Sequence, residues 1–365
     1  MEIEIEDGRW KDLVLYLTPN LQPLTLNTLY FAACMVVCDS SIFPSSYSWM
    51  SYSQAQTKFS SKLSENEESE RSRRRFAIIN ADDFGFSTGV NRAIIEAHER
   101  GVLTSTSLMV GAPAFEEAVE LAKAHPNLGV GLHLTLGKGK SVLPPSLIPN
   151  LVDEQGNFSN EPNRAGVYYQ FNGPARRQIP LEIRAQLEKF RSTGLKLSHV
   201  DGHLHMHSHP VILRALVALA DEFEIKVIRL PSEELRLTLN IDKSDFQTKL
   251  VWASVFWGLR LYGESVLKSR GIGYVDRVYG FLQSGRMTED YLLALIPQIQ
   301  ADVVEIYSHP AIAKPGEPVN SPIGWGQREL NALTSDQVRA ALTASGFELV
   351  NFNDWETIAT GGRAS

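Results

Sequence analysis

Cysteine is nearly missing from this 365-residue chain. Only Cys34 and Cys38 occur, both near the amino end. A disulfide scaffold, a zinc ribbon and a cysteine nucleophile in the main body are therefore excluded. A strong charge of either sign is missing as well. With 35 Lys+Arg against 42 Asp+Glu the formal charge is −7, which argues against binding nucleic acid or an anionic membrane by bulk charge. No run spans a bilayer: the apolar stretch LYFAACMVVC (29–38) falls short of the roughly 20 residues required. Nor does the chain open like a secretory signal, because MEIEIED is acidic where a positive region is expected.

Composition changes near residue 75. From Asp39 to Arg75 about one residue in three is serine, and the stretch ends in an acidic run followed by Arg71, Arg73, Arg74 and Arg75. Such a segment buries too little apolar surface to offset its ordering entropy. Residues 1–75 are expected to be a disordered extension, 76–358 the folded domain and 359–365 a tail. At 43% hydrophobic residues the chain has enough for a sizeable core.

From Phe76 onward, short β-branched runs alternate with amphipathic helical stretches. The expected strands are FAIIN (76–80), STSLMV (105–110), GVGLHL (129–134), LSHV (197–200), KVIRL (226–230), VVEIY (303–307) and FELVN (347–351), with a further one near 273–279. Helices are expected at 90–100, 115–125, 181–192, 211–223, 246–269 and 336–344. This alternation predicts an α/β fold with a parallel sheet and crossover helices, closed or nearly closed as a (β/α) barrel; an open doubly wound sheet is the alternative. No glycine-rich dinucleotide or P-loop motif follows the first strand, which weakens a nucleotide-binding version.

Seven of the nine histidines (133, 199, 203, 205, 207, 209 and 309) fall at expected strand ends, and Asp82-Asp83 ends the first strand. In parallel α/β folds these ends share one crevice. Strand alternation points the two carboxylates in different directions, one to a metal and one to a water; a helix cap is the plainer use of either. In His199-Val200-Asp201-Gly202-His203-Leu204-His205-Met206-His207-Ser208-His209 the odd positions are polar, and in an extended chain they line one face. One or two of these histidines would bind metal, and the others would orient ligands or touch substrate. Arg229, at a strand end, is placed to hold a carboxylate ionised. Glu305-Ile306-Tyr307-Ser308-His309 brings one more histidine to a strand tip.

One carboxylate and two imidazoles on a divalent metal, with a spare carboxylate and a spare histidine, suit metal-assisted hydrolysis. At this level amide, ester and phosphoester remain open. A phosphoesterase should carry more cations than Arg229, and an inactive carbohydrate- or lipid-binding relative should have lost a ligand or Asp82.

The segments NADDFG (80–85), GVLTSTSLMV (101–110), GLHLTL (131–136), HVDGHLHMH (199–207), Arg229-x-Pro231 and SHPA (308–311) resemble the YdjC-like carbohydrate deacetylase family, relatives of chitooligosaccharide deacetylases, and run in family order. Stretches 143–158, 164–171 and 182–195 look closest to its hopanoid-biosynthesis-associated HpnK branch. The resemblance implies a distorted (β/α) TIM-like barrel that removes acetyl from an N-acetylated sugar with a divalent metal. Magnesium follows from the resemblance; the donor types also suit zinc or another transition metal. It implies Asp83, His133 and His203 as metal ligands, Asp82 as general base with Arg229 as its partner, and His309 or His205 as general acid. Asp201, His207 and Glu305 are assigned to substrate. The expected partner is an N-acetylated sugar or a glycolipid such as a hopanoid-linked N-acetylglucosamine, with no nucleic acid. A cytoplasmic location is expected, with peripheral membrane contact and a homodimer allowed. The segment 246–267 carries apolar residues on nearly all faces, which predicts deep burial or a subunit interface, or else a lipid-contacting lid.

Overall fold

The computed structural model describes residues 74–361. The expected disordered extension, apart from its last two residues, and the end of the tail lie outside them. The folded body opens one residue earlier than expected. Strand β1 (Arg75–Phe84) starts at the last of the leader's arginines, whose guanidinium donates to the backbone carbonyls of Ser345, Ile299 and Ala301.

The order continues as α1 (Thr88–Arg100), β2 (Ser105–Leu108), α2 (Phe115–Ala124), β3 (Gly129–Leu134), α3 (Pro162–Phe171) and α4 (Gly173–Ser192). Next come β4 (Val200–Gly202), a 3-10 segment (His203–Ser208), α5 (Pro210–Ala218), α6 (Leu235–Ile241), α7 (Phe246–Lys268) and β5 (Arg277–Tyr279). The chain ends with α8 (Glu289–Leu295), β6 (Val303–Ser308), α9 (Trp325–Leu333), α10 (Asp336–Ala344), β7 (Phe347–Val350) and α11 (Trp355–Gly361). All strand pairings are parallel.

The sheet runs β4-β3-β2-β1-β6-β5, with β7 paired to the start of β1. The expected strand at 226–230 is reduced to single bridges, Val200 to Ile228 and Val227 to Gly273, and Ser232 bridges to Val278. These bridges carry the curl from β4 round to β5, so the sheet is a distorted, nearly closed barrel. Strands β1, β2 and β3 are buried almost throughout, as a parallel sheet covered by helices requires. The α-helices missed from sequence (α3, α6, α8, α9 and α11) are seven to ten residues long, too short to show a clear apolar period.

Two side chains fix the mouth of the barrel. Gln186 on α4 accepts from the Thr135 N–H (2.9 Å) and donates to its carbonyl (2.7 Å), gripping the backbone two residues past His133. Glu182, one turn earlier, accepts from the Val142 and Leu143 amides and from Gln186. The long β3–α3 connection is thereby tied to α4.

Deep burial of α7 is corrected. One face packs Val255, Phe256, Leu259, Gly263 and Leu267 inward, whereas Phe246, Leu250, Trp257 (68% exposed) and Leu261 face outward. No described helix is long and apolar enough to cross a membrane.

Candidate active site

The two aspartates of β1 do not alternate as an ideal strand would have them. Ala81 pairs with Thr106 and Phe84 with Leu108, so three steps on β1 match two on β2 and Asp82-Asp83 forms a bulge. Asp83 takes a left-handed φ of 69° and Gly85 follows at 92°. The strain of a non-glycine residue there, about 1–3 kcal/mol, accompanies a placement in which Asp83 faces His133 and His203 while Asp82 pairs with Arg229, each with an oxygen within 4.8 Å of a His133 nitrogen. The two carboxylates take different partners, as expected, but a bulge rather than regular alternation sets their directions.

The histidine-rich segment is not one extended strand either. Only Val200–Gly202 pairs. The chain then turns through a 3-10 segment in which Leu204 and His205 have φ near 55°. Gly202 permits the turn, since a Cβ there would lie 2.9 Å from His207 Nδ1. The odd positions therefore scatter. His199 is fully buried, stacked on Phe352 at 4.0 Å between ring centroids. His203 reaches the mouth, His205 Nε2 lies 2.9 Å from Tyr307 Oη, and His207 Nε2 donates to the Arg229 carbonyl. His209 caps α5, accepting from the Val211 amide.

Asp83, His133 and His203 come together. His203 Nδ1 lies 2.9 Å and His133 Nε2 3.3 Å from the same oxygen, Asp83 Oδ1. One ligand atom from each residue lies within 4.8 Å of the others, close enough to share one ion. Asp83 and His133 are 2% exposed, His203 14%, so the set opens on the His203 side. The other nitrogen of His133 lies 2.8 Å from Asp201 Oδ1. A carboxylate on the rear nitrogen fixes the ring and directs Nε2 at the cluster, as at histidine metal ligands generally.

Beneath this set lies Arg229, buried with the face of Tyr307 4.6 Å away. Its Nη1 and Nη2 donate to the two oxygens of Asp82, each at 2.8 Å. Nε and Nη2 also reach Glu305 Oε1, and Nη2 lies 2.9 Å from Asp201 Oδ2. Three buried carboxylates thus share one guanidinium. Asp82, His133 and Asp201 form a second cluster of metal-ligand type, but Arg229 already supplies its cation. The donor set that fits an added ion is Asp83, His133 and His203.

The electrostatics follow from this crowding. Burial opposes ionisation of Asp83, but the charge of His203 and hydrogen bonds from both histidines outweigh it and hold Asp83 well below the usual carboxylate range. Burial likewise opposes a charge on His133, yet Asp201, with Asp83 and Asp82, lifts it to about 10. Burial pushes Glu305 up to about 7 despite Arg229. The pocket carries an excess of negative charge, which a proton on His133 or a metal in its place would offset.

Asp201, His207 and Glu305, assigned to substrate from sequence, are each 0% exposed and sit behind the ligand set. His309 ends up at the tip of β6 with its ring against Tyr307 (5.7 Å) and its backbone amide donating to the buried Glu329. Several contributors carried no assignment from sequence. Asn80 Nδ2 donates to Asp82 Oδ1 and to Ser107 Oγ, and Ser107 Oγ donates to Asp201 Oδ2 at 2.6 Å. Polar Ser105 and Ser107 inside a buried strand were the available signal. Asn320 Nδ2 donates to Asp83 Oδ2 from a distant loop, with no local signal.

Beside the site, a cavity of about 1010 Å³ is lined by Phe86, Met109, Thr135, Lys138, Arg164 and Tyr168 among others. A groove of about 620 Å³ runs along α7 past Phe256, Trp257 and Phe281; Phe256 and Phe281 also flank His205.

Comparison with known proteins gives a consistent result. The profile of a family described as YdjC-like protein matches residues 76–344. A carbohydrate deacetylase of Brevibacillus brevis is 36% identical over 284 residues, covering 76% of this chain and 98% of the relative. One from Geobacillus stearothermophilus is 32% identical over 286 residues, covering 77% and 98%. A solved structure from Enterococcus faecalis V583, described in connection with cellobiose-phosphate cleavage, has a TM-score of 0.59 at 27% identity, covering 77% and 99%.

Proposed function

The chain belongs to the YdjC-like protein family, and from that premise we propose that it is a carbohydrate deacetylase, a divalent-metal-dependent hydrolase acting on an N-acetylated amino sugar. The observation that carries this reading is the pairing of a three-residue ligand set open on one side with a separate carboxylate, Asp82, held beside it by Arg229. The curated relatives bear the name carbohydrate deacetylase over nearly their whole length.

A bound divalent cation would supply a water of lowered pKa and a polarised acetyl carbonyl. Asp83, His133 and His203 would hold it, with Asp201 orienting His133. Two imidazoles and one carboxylate suit zinc, cobalt, iron or manganese; magnesium, the ion of the family resemblance, prefers an all-oxygen shell. Asp82 takes the proton of the attacking water at a carboxylate oxygen, while Arg229 and Asn80 keep that carboxylate aimed. His309 returns a proton to the departing amine, with His205 the competing donor. Acetate and a free amino sugar leave. Asp201, Glu305 and His207 act as supports of the ligands and of Arg229 rather than as substrate contacts.

The HpnK-like stretches extend the proposal to a sugar carried on a hopanoid lipid. In support, the apolar α7 groove adjoins His205 through Phe256 and Phe281, and the outward face of α7 is itself apolar. The test is to offer N-acetylglucosamine oligosaccharides and N-acetylglucosaminyl glycolipids and assay released acetate. Release from oligosaccharides alone removes the lipid extension; release from neither removes the function.

A further inference from the structure

We propose that the loop 311–324, between β6 and α9, is part of the active site, and that Asn320 is a positioning residue for the ligand carboxylate of Asp83. The inference rests on the metal reading of the site given above.

The loop is fixed across the segment that follows the aspartate bulge. Ile312 N donates to Gly89 O at 3.2 Å, and the backbones meet so closely that a Cβ on Gly89 would lie 2.2 Å from Ile312 O. Glu317 then accepts from the Gly89 amide (2.9 Å) and from the Thr88 hydroxyl, occupying the amino end of α1. Lys314 Nζ donates to the same hydroxyl at 3.0 Å. These anchors all fall on Thr88 and Gly89, five and six residues beyond Asp83. The loop is therefore registered against the backbone that carries the ligand.

What this registration delivers is one amide. Asn320 Nδ2 donates to Asp83 Oδ2 at 3.1 Å. The other oxygen, Oδ1, is the one that both histidines approach. The carboxylate is thus divided: one oxygen held by the loop, the other presented to the ion. A free carboxylate can rotate or offer both oxygens; a carboxylate held in this way offers one. The acceptor atom of the amide, Asn320 Oδ1, is buried and has no hydrogen-bond partner among the described residues, so the side chain is not held in a wider loop network. Partners of this kind behind a ligand typically govern metal affinity by 10- to 100-fold.

The test uses the full chain, freed of metal by a chelator and titrated with Co²⁺ alone. Calorimetry gives the affinity and the visible spectrum reports the coordination. Wild type should bind one equivalent. Asn320→Ala and the similarly sized Asn320→Leu should both bind 10- to 100-fold more weakly with an altered visible band, while their metal-free melting temperatures match wild type. Glu317→Ala, which releases the anchor, should shift affinity in the same direction by less. Wild-type affinity and spectrum in Asn320→Leu overturn the proposal, and so does a loss confined to Asn320→Ala and accompanied by a lower melting temperature, which signals packing alone. If wild type itself binds no cobalt, the metal reading falls and this inference falls with it.

Discussion

Replacing Arg229 by methionine tests the electrostatic construction of the site most severely. Methionine keeps much of the side-chain volume while removing the guanidinium that Asp82, Asp201 and Glu305 share. Breaking a buried ion pair from one side costs about 3–5 kcal/mol, because the partner charge stays buried without compensation. Domains of this size lose roughly 2–4 °C of melting temperature per kcal/mol, so the variant should melt on the order of 6–20 °C below wild type at pH 8. The loss should depend on pH with a definite sign. Without the guanidinium, burial acts unopposed on Glu305, whose folded-state pKa rises further above its unfolded value. A raised carboxylate costs stability above its unfolded pKa, and the cost shrinks as pH falls and the folded group takes up its proton. Glu305 already stands at about 7 with Arg229 present, so it protonates first. The gap between variant and wild type should narrow from pH 8 to pH 6 in parallel thermal or urea melts. A variant melting within 2 °C of wild type at pH 8 would refute the shared-cation argument, and a gap that widens toward pH 6 would refute its sign.

Three further outcomes are expected. Asp82→Asn removes one of three carboxylates around one cation, so it should fold and retain metal yet lose about 10²- to 10⁴-fold in turnover; near-normal turnover removes Asp82 from the base role. His209 is held neutral by burial, its pKa depressed to about 4, so the unfolded chain binds more protons between about 6.5 and 4 and stability falls as pH drops through that window. The loss is about 2 kcal/mol by pH 5, and His209→Asn, which keeps a capping oxygen for the Val211 amide, should flatten that slope in urea melts at pH 7 and 5; an unchanged slope rejects the assignment. Gln186→Ala leaves the buried Thr135 N–H and carbonyl without partners, at about 1–3 kcal/mol each, and should also weaken metal binding through His133; unchanged calorimetric affinity means the α4 clamp does not reach the site.

Much of this architecture is legible in the residues, and the exceptions have physical causes. Strands β1, β2 and β3 follow from apolar runs bounded by helical stretches, because a parallel sheet covered on both faces needs continuous burial. The convergence of Asp83, His133 and His203 follows from their position at strand ends. The details that alternation misplaces are those where the backbone leaves the ideal strand. The bulge at Asp82-Asp83 redirects two carboxylates that a regular strand would separate, and the left-handed turn at Leu204-His205 breaks a five-histidine face into separate sites. Asp83 and His205 are types that tolerate positive φ, but many residues of those types never adopt it, so neither turn is marked by its residue alone. Asn320 and Glu329 were hidden for another reason. Their partners, Asp83 and His309, lie 237 and 20 residues away, and no local pattern marks such pairs. The outward apolar face of α7 was visible as excess hydrophobicity, but which face stays uncovered is decided by packing.

The most direct measurement is acetate release from an N-acetylated amino sugar substrate as metal is returned, equivalent by equivalent, to chelated protein. The account predicts no release without metal, a linear rise, and saturation at one ion per chain. Release that survives chelation, or a rise that continues past one equivalent, would contradict it.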